Sequence, residues 1–296
     1  MTRVAAMKAF SIIIPLWNSL VIDRILAALR LQIEDPSEAE ILVVGVDESR
    51  LVTEDALVRF IPTGPSANGA VNRNIGLREA RGEILLFLDH DCLPGPDWIK
   101  WHLERQRQGE RVVGGSVTFG SADYLQWADN VSAFHDLLPF TLPGARTYLA
   151  TANLSVHRTV VERAGEMEPR LVRAHDLEWT VRFRALGYRL YFEPRAMVFH
   201  DPPRHTWAAV WRHWFTDAHD TLSVRLRYQD LLRTPRLAQH RWIFLWGAPL
   251  IAAWATVRTF GHMRIIKSHG LTLPLVYFTK LAWCWGAYQN FPKATQ

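Results

Sequence analysis

Three short runs of almost uninterrupted apolar sequence, rich in β-branched residues and closed by polar or turn-forming ones, constrain the N-terminal third of the chain. Phe10 to Ile14 is closed by Pro15, Glu40 to Val46 ends in Asp47-Glu48-Ser49, and Glu83 to Leu88 runs into Asp89-His90-Asp91. A strand that is apolar at nearly every position is buried on both faces, which is the environment of an interior parallel strand. Val21 to Leu31 and Ala70 to Ala80, which lie between these runs, carry apolar residues at helical spacing, and Thr63 to Gly69 reads as a loop. Strand, helix and strand in alternation form a βαβ unit and predict an α/β fold. Open sheets of that kind bind ligands just beyond the carboxyl ends of their strands.

Further along, the pattern loosens through Gly114-Gly115-Ser116-Val117 and then tightens. Thr159 to Ala164 and Asp176 to Leu186 read as helices, the second stopped by Gly187, and Tyr188 to Phe192 and Ala196 to Phe199 read as two short strands. The two cysteines, Cys92 and Cys284, form no metal-ligand spacing and no disulfide framework, so a reducing compartment is expected. Met1 to Lys8 leads straight into the first strand without a cleavable leader pattern, which places the expected site of action in the cytoplasm.

The chemistry-bearing residues cluster at the predicted strand ends. In an extended strand, positions i and i+2 point the same way, so Asp89 and Asp91 are expected to meet one cation or one ligand edge together. Alternatively, one caps the turn around Pro94-Gly95-Pro96 and the other is solvated. Asp176 stands at a helix start, where an acid often serves as an N-cap. Arg73 is expected to partner a phosphate or carboxylate near the site, with a surface ion pair as the alternative.

Asn72-Arg73-Asn74-Ile75-Gly76-Leu77 followed by Ala80-Arg81-Gly82-Glu83-Ile84-Leu85-Leu86-Phe87-Leu88-Asp89-His90-Asp91 resembles the family 2 glycosyltransferases of GT-A fold. The resemblance extends in order to Ser11 to Pro15, Glu40 to Ser49, Ala152-Asn153-Leu154-Ser155, and His175-Asp176-Leu177-Glu178 with Arg182, Ala185, Gly187 and Tyr188, over roughly residues 8 to 205. It implies a GT-A type nucleotide-diphospho-sugar transferase fold and an inverting, metal-dependent transfer of a sugar to an acceptor hydroxyl. By the same resemblance Asp176 is the general base, and Asp47 contacts the uracil or ribose of the donor. Pro15 and Arg73 belong to the donor site. Asp91 binds Mg2+ or Mn2+, Asp89 supports the ribose or the metal, and His200 is an additional metal ligand. At position 175, where the family usually has Glu, this chain has His.

The last third differs in composition. From Trp207 onward there are 11 Lys and Arg against 3 Asp and Glu, compared with 23 against 26 before it, and 8 of the 13 Trp lie there. Basic charge beside Trp suits an anionic membrane surface. Nucleic acid is not expected, because the apolar runs Trp242 to Val257 and Leu271 to Thr279 make poor material for a phosphate-tracking groove. Trp242 to Val257 is short for a bilayer core, so interfacial or re-entrant attachment is preferred to a span. A soluble helical pair packed on the catalytic part or on a second copy is the alternative.

The expected division is therefore a catalytic domain over 1–206, with nucleotide-sugar binding over about 8–120 and the acceptor and base region over about 121–206. A basic, Trp-rich, membrane-associating helical region follows over 207–296. The expected acceptor is a lipid-linked or cell-envelope glycan. Gln239-His240-Arg241-Trp242 is one residue short of the Q-x-x-R-W element of processive synthases in the same family, so single transfer is expected. A sugar-phosphate nucleotidyltransferase would carry a Gly-rich basic loop after the first strand, and Leu16-Trp17-Asn18-Ser19 has none. A catalytically inactive glycan- or lipid-binding module would have no use for a base at Asp176.

Overall fold

The computed structural model describes residues 7–261 and 263–292; the leaderless reading of Met1 to Lys8 lies almost wholly outside them. In chain order the elements are β1 (Lys8–Trp17), α1 (Ile22–Arg30), β2 (Ala39–Val46), β3 (Val58–Pro62), α2 (Gly69–Glu79), β4 (Gly82–Leu88), β5 (Cys92–Pro94), α3 (Trp98–Arg107), β6 (Val112–Thr118) and α4 (Tyr124–Phe134). They continue with β7 (Gly144–Ala145), β8 (Asn153–His157), α5 (Arg158–Ala164), α6 (His175–Ala185), β9 (Leu190–His200), α7 (Trp207–Arg227), α8 (Ile243–Trp246), α9 (Ala248–Thr259), α10 (Met263–His269) and α11 (Leu273–Gln289). Two compact units result, one made of 1–118 with 142–200 and the other of 119–141 with 201–296.

The first unit is one mixed sheet in the order β3-β2-β1-β4-β8-β6-β9-β5, with β7 paired to β9. From β3 to β4 the strands are parallel; β8 runs antiparallel to both β4 and β6. Ile12, Ile13, Ile14, Ile41, Leu42, Val43, Leu86, Phe87 and Leu88 are fully buried, as their continuous apolar runs require. The switch from parallel to antiparallel occurs beside β4, so the acidic end of β4 lies where neighbouring connections diverge.

Two predictions at the far side of the sheet needed correction. The segment around Gly114 and Gly115 is not loose but forms interior strand β6. A Cβ on Gly115 would come within 2.0 Å of the Ala196 carbonyl and one on Gly114 within 2.4 Å of Leu149, so close packing rather than turn formation explains these glycines. The two short strands predicted around Pro194 are one strand, β9. Its pairing with β6 shifts register between Gly115 and Ser116, opposite Glu193 to Met197, and this bulge accommodates Pro194 without ending the strand.

Glu40, polar in an otherwise apolar strand, is satisfied rather than strained. Ser11 Oγ donates to Glu40 Oε1 at 2.7 Å, and Arg81 donates to Oε2 through Nε at 2.8 Å and Nη2 at 2.6 Å. Burial opposes ionisation of Glu40, but the hydrogen bonds from Arg81 and Ser11 win and hold its carboxyl below the ordinary value. The ionised carboxylate therefore stabilises the fold above its unfolded pKa, and that contribution is lost as pH falls through the lower folded value. Arg81→Ala should cost about 1–2 kcal/mol at neutral pH, after discount for the partial exposure of Arg81, and much less in acid. Urea midpoints at the two pH values check this.

In the second unit, α4, α10 and α11, with Leu138 and with Phe260 just after α9, form an apolar cluster of Ala128, Val131, Leu138, Phe260, Ile265, Leu275 and Val276. Asp129 is fully buried and accepts from Arg204 Nε at 2.5 Å and Trp214 Nε1 at 2.7 Å. Lys280 donates to the Ser132 carbonyl and lies over the Trp214 ring; burial pushes its pKa down to about 8. On α7, Trp214 is buried and Trp207 is exposed. Among the described residues no helix is long and apolar enough to cross a membrane.

Candidate functional site

The chain does not stay extended through the acidic motif. β4 ends at Leu88, and the Cys92 amide donates to the Asp89 carbonyl at 3.0 Å, so Asp89-His90-Asp91 is a turn between β4 and β5. The expectation that the chain stays extended through Asp89 and Asp91 is corrected by this turn, in which Asp89 pairs with Arg73 and Asp91 with His200. Between them, His90 Nδ1 donates to the Pro15 carbonyl at 2.9 Å, and Ser19 Oγ donates to the His90 carbonyl at 2.7 Å. Pro15 thus lies buried at the site's edge with its carbonyl already engaged. The sequence reading missed His90 because its task is local geometry rather than chemistry.

Asp91 meets His200, the last residue of β9. Their carboxylate oxygen and Nε2 are 3.5 Å apart, and β5 pairs with β9 so that Cys92 lies opposite His200. Asp91, Cys92 and His200 bring one carboxylate oxygen, one sulfur and one imidazole nitrogen within 4.8 Å of one another. Burial, and then the negative charges of Asp91 and Asp89, push the Cys92 thiol well up, so it stays protonated. The hard donors of the cluster are a carboxylate and an imidazole, a set that fits Mn2+ and, through the carboxylate, Mg2+, for which sulfur is the poorer match.

Asp89 turns instead to Arg73. The Arg73 side chain, 4% exposed, comes from the middle of α2 and forms an ion pair with Asp89 Oδ1. Its Nη1 also donates to His175 Nε2 at 2.9 Å. A guanidinium only donates, so Nε2 is the acceptor and the proton of neutral His175 sits on Nδ1. Burial, then Arg73 and Arg173, push the imidazole pKa down to about 3, so it is neutral at physiological pH. Of the two partners expected for Arg73, the structure supplies a carboxylate, and the pair is buried rather than on the surface.

Asp176 follows His175 in the first turn of α6. The N-cap position belongs to Ala174, held at φ 53°, and makes no side-chain capping bond. Asp176 Oδ1 accepts from the Leu177 amide at 2.8 Å. The end of β2 carries Asp47, whose Oδ2 accepts from the Val52 amide at 2.8 Å while the buried Oδ1 has no hydrogen-bond partner among the described residues. Gly45, two residues before it at φ 151°, lets β2 approach β1 so closely that a Cβ would fall 1.9 Å from the Leu16 carbonyl.

The structure thus joins Asp89, Arg73 and His175 in one chain of contacts and Asp91 with His200 in another. Asp47 stands at the end of β2, two strands away from β4. Asn153, which the sequence placed on an acceptor-side strand, is a buried strut. It accepts from Trp98 Nε1 and His102 Nε2 and donates to the Ser116 and Ala196 carbonyls, all at 2.8 Å.

A family model described as Glycosyl transferase family 2 matches residues 11–165. Among curated relatives, the glycosyltransferase AglE of Haloferax volcanii is 30% identical over 193 residues, 62% of this chain and 63% of its own length. The probable glycosyltransferase YdaM of Bacillus subtilis is 24% identical over 261 residues, 79% of this chain and 60% of its own. The chain therefore spans less than two thirds of either relative. Among solved structures, the mannosyltransferase PcManGT from Pyrobaculum calidifontis, in complex with GDP-Man and Mn2+, aligns over 97% of this chain and 88% of its own. The TM-score is 0.66 at 17% identity, a likeness of fold.

Proposed function

Because the chain belongs to glycosyl transferase family 2 and has the GT-A fold, we propose that it is an inverting glycosyltransferase. In this reading it moves a sugar from a nucleotide-diphospho-sugar to a hydroxyl of a lipid-linked or cell-envelope glycan at the cytoplasmic face of a membrane. The observation that carries the reading is Arg73. One buried cation contacts both Asp89 of the acidic turn and His175, the neighbour of Asp176, and so ties the donor-side turn to the helix bearing the base.

In the proposed reaction the acceptor oxygen attacks the anomeric carbon from the face opposite the leaving group, and the Asp176 carboxylate takes the acceptor's proton. The carbon–oxygen bond to the nucleoside diphosphate breaks and its electron pair leaves with the phosphate. Asp91 and His200 would hold a divalent cation, Mg2+ or Mn2+, which offsets the charge gathering on that diphosphate. Asp89, neutralised by Arg73, supports the ribose or the metal side of the donor. Asp47 contacts the uracil or ribose, a reading supported by its unpartnered Oδ1. Pro15 borders the donor and keeps His90, and with it the acidic turn, in place. Catalysis is assigned to 1–206, and membrane attachment to the basic, aromatic 207–296.

A screen of nucleotide sugars for metal-dependent binding or slow hydrolysis tests this reading, with GDP-mannose, the ligand of the solved neighbour, tried first. At least one donor should bind more tightly with Mn2+ or Mg2+ than with chelator. A chain that binds none of the common nucleotide sugars under any metal condition is not this enzyme.

A further inference from the structure

In the second unit, α9 has its apolar side outward. Its buried positions are Ala252, Thr256 and Thr259, whereas Leu250, Trp254 and Val257 are 78%, 63% and 72% exposed. Helices that face water normally do the reverse. Trp246 of α8, 80% exposed, continues the stripe, because the Gly247 and Ile251 amides donate to the Ile243 and Gly247 carbonyls and keep helical bonding across the junction. At 3.6 residues per turn, positions 246, 250, 253, 254 and 257 fall within an arc of about 100° that holds no charged side chain.

Cations border this stripe. Arg258 lies over the Trp254 ring at 5.5 Å, and at the other end Arg241 lies over Tyr288 at 4.6 Å and Trp242 at 5.4 Å. Trp242, Tyr288 and Trp285 form a continuous aromatic group, with ring centroids 5.4 and 5.7 Å apart. On α10, exposed Met263 and Ile266 alternate with Arg264 and Lys267. After Asp230 no acidic residue occurs to the end of the chain.

We propose that the α8–α9 ridge is the docking surface for an anionic lipid bilayer and that it lies in the plane of the interface. Trp246, Leu250, Trp254 and Val257 enter the acyl-chain boundary, and Arg241, Arg258, Arg264 and Lys267 meet the headgroup phosphates. This deepens the membrane-borne part of the proposed function and rests on it only for the acceptor. The 12 residues of α9 span about 18 Å against a core of about 30 Å, which rules out crossing. Pairing two copies through this face would set Arg241 and Arg258 against their own duplicates, with no acid after Asp230 to offset them.

The test is flotation of the full chain with vesicles of phosphatidylcholine, with and without phosphatidylglycerol, together with quenching of Trp emission by brominated acyl chains. The wild type should float with the anionic vesicles and be quenched. Leu250→Glu with Trp254→Glu should abolish both effects, and Arg258→Ala should weaken binding about fivefold at low salt and much less at high salt. Since these side chains are exposed, folding and donor binding should persist in all variants and are measured alongside. Docking lost with donor binding intact supports the ridge. Docking intact in a chain that binds no nucleotide sugar removes the transferase reading alone. Failure of the wild type to bind anionic vesicles, or wild-type flotation by the double variant, overturns the proposal. So does a lipid-free dimer that the double variant converts to monomer, which would make the ridge a subunit interface.

Discussion

Asp176→Asn should lower transfer turnover by roughly 10² to 10⁴ while leaving nucleotide-sugar binding nearly unchanged, the usual worth of a positioned general base. Asp176 Oδ1 accepts from the Leu177 amide, and an Asn oxygen accepts the same bond. The cap position is Ala174, so no cap is removed. Single-turnover transfer together with donor titration separates the two roles. An equal loss of binding and turnover, or a melting temperature that falls in step with activity, would reassign Asp176 to structure.

The parts of this chain that were legible in the sequence share one property: the residue type is dictated by what surrounds it along a single element. β1, β2 and β4 are buried on both faces, so nothing polar is tolerated without a partner, and their runs stand out. Where the environment is set by residues distant in sequence, the pattern misleads. Gly114 and Gly115 read as loop because their close neighbours, Leu149 and Ala196, lie more than thirty residues away. Pro194 reads as a break because the bulge that absorbs it is a property of its pairing with β6.

The site divides along the same line. Asp89, Asp91 and Asp176 were visible as motif residues, but the turn that separates Asp89 from Asp91 depends on an amide bond from Cys92 and on His90 gripping β1. No spacing rule predicts that one carboxylate goes to a buried arginine and the other to a histidine at the end of β9. The C-terminal third shows the converse. Its composition was informative, but its periodicity was not, because Ala, Leu, Ile, Trp and Val fill most of α9 and only the structure shows that Leu250, Trp254 and Val257 face outward.

Asp91→Ala should reduce transfer by about 10³ or more and abolish the tightening of donor binding by Mn2+. The expectation follows from the division of labour at the turn. Asp89 is already committed to Arg73, and the sulfur of Cys92 is a poor match for a hard cation, so neither replaces the lost carboxylate. His200 alone would leave a single imidazole donor facing the cation, too weak a site to retain it beside a diphosphate. His200→Ala, which keeps the charged ligand, should be milder than Asp91→Ala in both activity and metal affinity. Calorimetric titration of Mn2+ in the presence of donor ranks the variants without relying on turnover. Activity and metal dependence that survive Asp91→Ala intact would remove Asp91 from the metal site. A larger defect in His200→Ala than in Asp91→Ala would instead make the imidazole the principal ligand.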